Sequence, residues 1–274
     1  MIDDDRLGDW AERLVRVPGV AGVMLGGSRA RGDHVPESDV DLGLYYRPPL
    51  DVDALQNLAD EVAGPGARVT RPGAWGPWVD GCAWLTVDGT AMDWIYRDLD
   101  RVHAAWRDAR AGRFRFHAQV GHPLGFPDFA YPGEVALGVV LVDPSGELAS
   151  LQRETGAYPP PLRDTLVTCV WEASFTVAIA RKAVGRVDTA YVAGCLFRAV
   201  ALCAHALHGY AGRWLVNEKG AVASAGRLPH APVAFAERAH GVLAHLGTTA
   251  GELRAAVDAA DGLVDDTAAA CRST

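Results

Sequence analysis

In the first 120 residues, hydrophobic and polar positions follow the periods that are typical of strands alternating with helices. Apolar runs and two-residue alternation, bounded by Gly or Pro, predict strands. These strands are expected at 20–25, 39–46, 68–70, 82–87 and 91–96. Apolar spacings of three and four residues predict helices at 5–16, 51–63 and 98–111. The dipeptide Asp88-Gly89 between two of the strands indicates a hairpin.

Beyond residue 120 the pattern changes. Residues 121–133 are rich in Gly, Pro and aromatic residues, which indicates an irregular segment between two differently built regions. Alanine-rich segments with helical spacing follow, at about 162–184, 188–210, 231–246 and 249–269. The pattern predicts an α+β protein, with a mixed-sheet domain at 1–120 and a C-terminal helical-bundle domain at 121–274.

Composition narrows the classes of partner. The chain has 274 residues, 49% of them hydrophobic, which suits a globular protein with a sizeable core. The formal net charge of −8 argues against a nucleic-acid partner. Five cysteines with no Cys-x-x-Cys pair indicate free thiols in a reducing compartment.

The same sequence gives no sign of a membrane partner. The first residues are acidic and polar, unlike a signal peptide. The longest apolar stretch, Tyr191 to Tyr210, contains Arg198, His205 and His208, which favours a buried helix over a membrane span. We therefore expect a cytoplasmic protein, and the sequence leaves open whether it forms a homodimer.

Two carboxylates stand two residues apart in the predicted strand 39–46. Asp39 and Asp41 would project from one face, while Val40 and Leu42 point into the core. At about 4 Å and an effective dielectric constant near 20, two such charges repel by roughly 4 kcal/mol. A divalent cation turns this repulsion into coordination, and oxygen ligands suit Mg²⁺ or Mn²⁺. A solvated strand edge is the alternative interpretation.

A glycine turn precedes these acids. Gly26 and Gly27 follow a predicted strand and allow the backbone to approach a ligand closely. Ser28 adds a hydroxyl at a predicted helix N-cap, where backbone amides favour phosphate oxygens. Arg29 and Arg31 add positive charge that could reach a triphosphate. The lack of a Gly-Lys-Ser/Thr sequence excludes a P-loop, and the whole segment indicates chemistry on a nucleotide phosphate.

The spacing Gly27-Ser28, ten residues, then Asp39-x-Asp41 resembles the signature of DNA polymerase β-like nucleotidyltransferases. This superfamily includes aminoglycoside and lincosamide nucleotidyltransferases and the minimal nucleotidyltransferases of toxin–antitoxin systems. The resemblance covers a short segment of the chain. It implies that 1–120 form the nucleotidyltransferase domain and that 121–274 form a domain closing on substrate and nucleotide.

The resemblance also implies a third carboxylate on a neighbouring strand. Asp93 lies between apolar residues in a strand-like run, where an acid is costly unless it is paired or bound to a metal. Asp88 competes, but its place beside Gly89 is typical of a turn.

The implied mechanism is nucleotidyl transfer. Asp39, Asp41 and Asp93 would hold two Mg²⁺ ions, and an acceptor hydroxyl would attack the α-phosphate of ATP or another nucleoside triphosphate. The general base would be Asp93 or a carboxylate of the second domain.

Three residues of the second half are further candidates. Glu134 could act as a base or bind a substrate amine, or be a plain acid at a helix start. Tyr131 could line the same cleft. Lys219 could bind the nucleotide phosphates, with a helix-end lysine before Gly220 as the alternative.

Arg198 and His205 formally match the Arg-x(4–6)-His spacing of ribonuclease toxins, although alanine follows the arginine.

The function expected is Mg²⁺-dependent transfer of AMP from ATP to a hydroxyl of a small molecule, with release of pyrophosphate. An aminoglycoside-like antibiotic would suit as acceptor, since an acidic surface attracts a polycation. The alternatives are a protein-modifying nucleotidyltransferase, an antitoxin-type regulator of a toxin partner, and a binding module without catalysis. Minimal family members are much shorter than this chain, which favours the first interpretation.

Overall fold

The computed structural model describes residues 4–32, 34, 35 and 38–272. The chain divides into two compact units. The first comprises Met1–Asp108 and Phe114–Ala157, and the second comprises Ala109–Arg113 and Tyr158–Thr274.

The first unit is built on strands. In chain order they are β1 Val20–Leu25, β2 Val40–Tyr46, β3 Arg68–Val69, β4 Cys82–Val87, β5 Thr90–Asp98, β6 Phe116–Gln119, β7 His122–Pro127 and β8 Val139–Val142. Six of them form one sheet in the order β3-β4-β5-β2-β1-β8, and β6 and β7 form a separate hairpin. β2 and β5 run parallel, while the other neighbours in the sheet are antiparallel, so the sheet is mixed.

In the part of the chain that the structure describes, six helices precede those of the second unit. They are α1 Asp4–Leu14, α2 Gly27–Arg31, α3 Val52–Ala63, α4 Leu99–Arg110, α5 Ala130–Leu137 and α6 Glu147–Thr155. The helix α3 begins where the Asp51 side chain accepts a hydrogen bond of 2.9 Å from the Ala54 amide. A side-chain oxygen at this position satisfies a backbone donor that no helical carbonyl can reach.

One face of the sheet carries the main core of the first unit. Along β2, Val40, Leu42 and Leu44 are fully buried, and they pack with apolar side chains of α1 and α3. The alternate residues of β2 point to the other face, where Asp41 is half-buried. Strand alternation therefore presents the acid on the side of the sheet opposite to this core.

The second unit is helical. Its helices are α7 Pro160–Thr168, α8 Val170–Ala183, α9 Thr189–Tyr210, α10 Ala221–Ala225, α11 Phe235–Ala244 and α12 Ala250–Ala270. The helix α9 is long and apolar enough to cross a membrane by length and composition, but 67% of its most apolar window is buried in the structure. Such burial is typical of the central helix of a bundle.

The predicted fold class is confirmed: the chain is α+β with a mixed sheet and C-terminal helices. The division near residue 120 differs from the observed one, which falls at Ala157. The Gly- and Pro-rich run contains β7 of the β6–β7 hairpin and the start of α5, and β8 joins the sheet beside β1. The cause is burial, since Phe126, Phe129 and Tyr131 are among the largest fully buried side chains.

The two faces of the sheet should respond differently to truncation. Replacing the fully buried Leu42 by Ala should lower the free energy of unfolding by about 2–5 kcal/mol, because a cavity remains in the core. Thr86→Ala, at an exposed position of β4, should cost less than about 1 kcal/mol. Urea denaturation followed by circular dichroism measures both, and equal losses would contradict the assignment of the core face.

Candidate functional site

Two of the predicted acids meet on the outer face of the sheet. β2 and β5 are parallel neighbours, and Asp41 is the register partner of Asp93. Neighbouring strands lie about 4.8 Å apart, and register partners project from the same face. The following pair, Leu42 and Trp94, is fully buried on the core face. The acids are therefore side by side, although they are far apart in the sequence.

The glycine turn touches one of these acids. The Gly26 amide donates a 2.8 Å hydrogen bond to the carbonyl of Asp41, which ties the end of β1 to β2. Gly27 has a φ of +62°, and a Cβ added to it would lie 1.9 Å from Asp41 Oδ2. Any side chain at position 27 would therefore collide with the carboxylate, so the turn requires glycine for its backbone angle and for space.

The short helix α2 that follows differs from the prediction in one respect. Its N-cap is Gly26, without a side-chain hydrogen bond, so Ser28 lies within the first turn and is not the cap. Ser28 remains beside the turn and is half-buried. Arg31 is exposed at the other end of α2.

Arg29 has a role that the sequence did not suggest. Its Nε donates to the Asp39 carbonyl at 3.2 Å, and its Nη2 donates to the Ser38 carbonyl at 2.9 Å. The guanidinium thus holds the segment that leads into β2, in contrast to the expected contact with a triphosphate. It positions the backbone of Asp39, an exposed residue directly before the strand.

The structure brings together part of the predicted metal site. Asp41 and Asp93 are neighbours, but within the described ranges no three Asp, Glu, His or Cys side chains converge on one cation position. The donor chemistry still fits, because carboxylate oxygens suit Mg²⁺ and position 27 carries no side chain that would displace Asp41 Oδ2. Participation of Asp39 as a third ligand stays a prediction.

The negative charge of Asp93 affects the pKa of the neighbouring thiol of Cys82. Burial, and after it the negative charge of Asp93, raise the pKa of Cys82 to about 12. Cys82 lies on β4 opposite Ile95 of β5, two residues along from Asp93. The thiol is therefore neutral and inert beside the acids.

A buried ion pair lies further along the same face. Arg97 follows Asp93 by four positions on β5, and its Nε and Nη2 donate to the two carboxylate oxygens of Glu134 at 2.5 and 2.7 Å. Only 6% of the Arg97 side chain and 26% of the Glu134 side chain are exposed. The Tyr131 ring lies 5.4 Å from the guanidinium carbon. Both oxygens of the candidate base are thus engaged by an arginine.

The electrostatics of this pair favour its charged form. Burial by itself would lower the pKa of Arg97, but the charge and hydrogen bonds of Glu134 outweigh it and raise the pKa above its ordinary value. Sequence reasoning missed Arg97, although the two-residue period of β5 puts it on the same face as Asp93.

The candidates of the second half fall in different places. Tyr131 and Glu134 belong to α5 of the first unit, and the Tyr131 hydroxyl donates to the carbonyl of Trp78. Lys219 is exposed in the second unit, between α9 and α10. Its binding of phosphates stays a prediction.

Arg198 and His205, which match the ribonuclease spacing, have the environments of structural residues. Arg198 donates to Glu172 at 2.7 Å, and His205 is buried. Burial, and then the neighbouring His208, lower the pKa of His205 to about 3, so the ring is neutral. A buried neutral histidine and an ion-paired arginine are typical of a helical core.

The family model described as "Nucleotidyltransferase domain" matches residues 10–64. This stretch contains the glycine turn, Asp39 and Asp41, and it supports nucleotidyl transfer as the general activity. Asp93 lies outside it. Among proteins with curated descriptions, none matches the chain significantly. A solved nucleotidyltransferase-like protein from Exiguobacterium sibiricum is 14% identical, with a TM-score of 0.37, and the alignment covers 93% of this chain and 72% of that one.

The contact between the turn and Asp41 gives a sharp test. Gly27→Ala should abolish nucleotide binding, because the new Cβ would displace the Asp41 carboxylate. Gly32→Ala is the matched control, since its φ is +73° but nothing lies within 4 Å of the added carbon. Both variants should lose about 1 kcal/mol of stability from backbone strain, and Gly27→Ala should lose more because of the collision. Titration with ATP and Mg²⁺ should separate them, and equal ATP affinity in the two would refute the role of the close contact.

The buried pair should behave unlike a surface pair. Arg97→Leu should lower the free energy of unfolding by about 3–5 kcal/mol, since it leaves Glu134 without its partner. Glu134→Gln should cost less, because the amide oxygen still accepts from Arg97. Arg6→Leu, which breaks the exposed pair with Asp88, should cost below about 1 kcal/mol. Thermal denaturation of the three variants measures the order, and a small effect of Arg97→Leu would contradict it.

Proposed function

We propose that this protein transfers a nucleoside monophosphate, AMP from ATP in the first instance, to a hydroxyl of a small molecule and releases pyrophosphate. The observation that carries the proposal is the pairing of Asp41 with Asp93 directly beside the Gly27 turn. Two carboxylates next to a close backbone approach would suit a cation and a phosphate together, which supports the proposal.

The residues that would hold magnesium are Asp41 and Asp93 on the sheet and Asp39 at the start of β2. Arg29 fixes the backbone that carries Asp39. Bound Mg²⁺ would supply charge neutralisation at the α-phosphate and at the leaving pyrophosphate. Mn²⁺ has similar ligand preferences and would also fit.

The chain's own groups divide the remaining tasks. The Gly27-Ser28 turn would hold the phosphates, with Arg31, at the other end of α2, as a further cation towards them. Asp93 would accept the proton of the acceptor hydroxyl at a carboxylate oxygen. We assign this proton to Asp93 and not to Glu134, because both oxygens of Glu134 already accept from Arg97. Glu134 then acts with Arg97 as a fixed charged pair on the same face.

The acceptor is proposed from charge. The sequence carries a formal net charge of −8, and a negative surface raises the local concentration of a cationic substrate. Aminoglycosides combine several amines with free hydroxyls, which makes them the first acceptors to test. Lincosamides, which also offer sugar hydroxyls, are the second group, and both would place the protein in antibiotic resistance.

The activity test is a pyrophosphate-release screen. Each of the four common nucleoside triphosphates is combined with Mg²⁺ and with aminoglycosides, lincosamides or candidate protein acceptors. We expect release with ATP and a small molecule, and loss of it on addition of EDTA. Release only with a protein acceptor would overturn the proposed substrate class, and no release with any combination would overturn the activity.

The carboxylates give the decisive variants. Asp41→Asn and Asp93→Asn should each reduce pyrophosphate release by about 100-fold or more, because the site loses a charge at the reacting phosphate. Asp53→Asn is the control, since Asp53 is an exposed acid on α3. All three should keep the unfolding midpoint of the parent protein. Full activity in either sheet variant would refute the mechanism.

A further inference from the structure

Next to Asp93, on the face of the sheet opposite to the core, lies the indole of Trp84. Trp84 on β4 is the register partner of Asp93 on β5, so the two side chains project from the same face. Its chain neighbours Ala83 and Leu85 are buried in the core, whereas Trp84 is 45% exposed. A large apolar ring is thus presented to solvent directly beside the acid.

A second indole holds this ring. Trp75 meets Trp84 edge to face, with centroids 5.0 Å apart and planes at 78°. Tryptophan pairs in this geometry gain stability beyond the area that they bury. The pair therefore forms one aromatic surface, and we call Trp75 with Trp84 the indole wall.

The loop that carries Trp75 is held by hydrogen bonds to the side chain of Gln119. The buried Gln119 donates to the Trp75 carbonyl at 2.8 Å and accepts from the amides of Trp78 and Val79 at 3.2 and 3.0 Å. A Cβ added to Gly76 would lie 2.5 Å from the Gln119 side chain, so the loop backbone packs closely on it. The indole wall is therefore held in place before any ligand binds, which lowers the entropy cost of binding.

The order of groups across the sheet indicates which reactant meets the wall. The glycine turn lies beside Asp41, Asp93 follows on the next strand, and Trp84 on the strand after it. Arg68 of β3 is the register partner of Trp84 and is exposed at the sheet edge. In-line transfer needs the attacking and leaving oxygens on opposite sides of the phosphorus. With pyrophosphate at the turn, the acceptor approaches from the side of Trp84.

We propose that the indole wall is the acceptor-binding surface and that it takes a sugar or cyclitol ring. The C–H face of such a ring packs on the indole of Trp84, because the negative aromatic face attracts it. Arg68 donates to ring hydroxyls at the outer end, and the attacking hydroxyl points to Asp93. This inference rests on the proposed nucleotidyl transfer and adds the residues that select its acceptor.

The test compares variants of the wall. Trp84→Ala should raise the KM for the acceptor about tenfold, Trp84→Phe should raise it less, and both should keep the KM for ATP within about twofold. Trp171→Ala is the matched control, because Trp171 is another exposed tryptophan, 63% exposed, on α8 of the second unit. It should change neither constant.

A binding measurement separates the wall from the activity. Streptomycin, spectinomycin, kanamycin and lincomycin are titrated calorimetrically into the nucleotide-free protein, its Trp84→Ala variant and its Trp171→Ala variant. We expect at least one compound to bind the parent and the Trp171→Ala variant, and to bind Trp84→Ala about tenfold more weakly. Binding with this pattern but without pyrophosphate release would sustain the wall and refute the transfer.

The remaining outcomes count against the wall. If Trp84→Ala raises the KM for ATP and leaves that for the acceptor, the indoles contact the nucleobase and the inference is wrong. It is equally wrong if Trp84→Ala matches the parent in both constants, or if none of the four ring compounds binds the parent.

Discussion

The parallel pairing of β2 with β5 is the constraint on which the candidate site depends. It sets Leu42 against Trp94 in a dry core and, one residue earlier, Asp41 against Asp93 on the opposite face. Burial of the apolar pair fixes the register, because a slip of one residue would move acids into the core. Packing thus brings the two carboxylates onto neighbouring strands of one face, where we propose that Mg²⁺ binds.

The elements around this pair serve it in distinct ways. The Gly27 turn approaches Asp41 so closely that a methyl group would not fit. Arg29 secures the segment before β2 through two backbone carbonyls. On the far side, β4 brings Trp84 beside Asp93, and Gln119 fixes the loop of its aromatic partner. Charge, close backbone approach and an apolar surface therefore follow one another across neighbouring strands.

The ion pair of Arg97 with Glu134 changes the interpretation of the second half of the chain. The sequence presented Glu134 as a candidate base within a region of Gly and Pro. In the structure it lies on α5 of the first unit, and both its oxygens bind a buried guanidinium. Separating such a carboxylate from its partner costs stability, so the main role of Glu134 is to stabilise this face of the sheet together with Arg97.

The sequence by itself determined the periodic elements and the identity of the candidate acids. Two-residue alternation located β2 and β5. It also showed that Asp41 and Leu42 project from opposite faces of the sheet, because side-chain direction in a strand is a local property. It could not show that β5 lies beside β2, that residues 114–157 complete the first unit, or that Arg97 binds Glu134. Those contacts join distant segments, and only burial in the folded chain selects among the many pairings that local patterns permit.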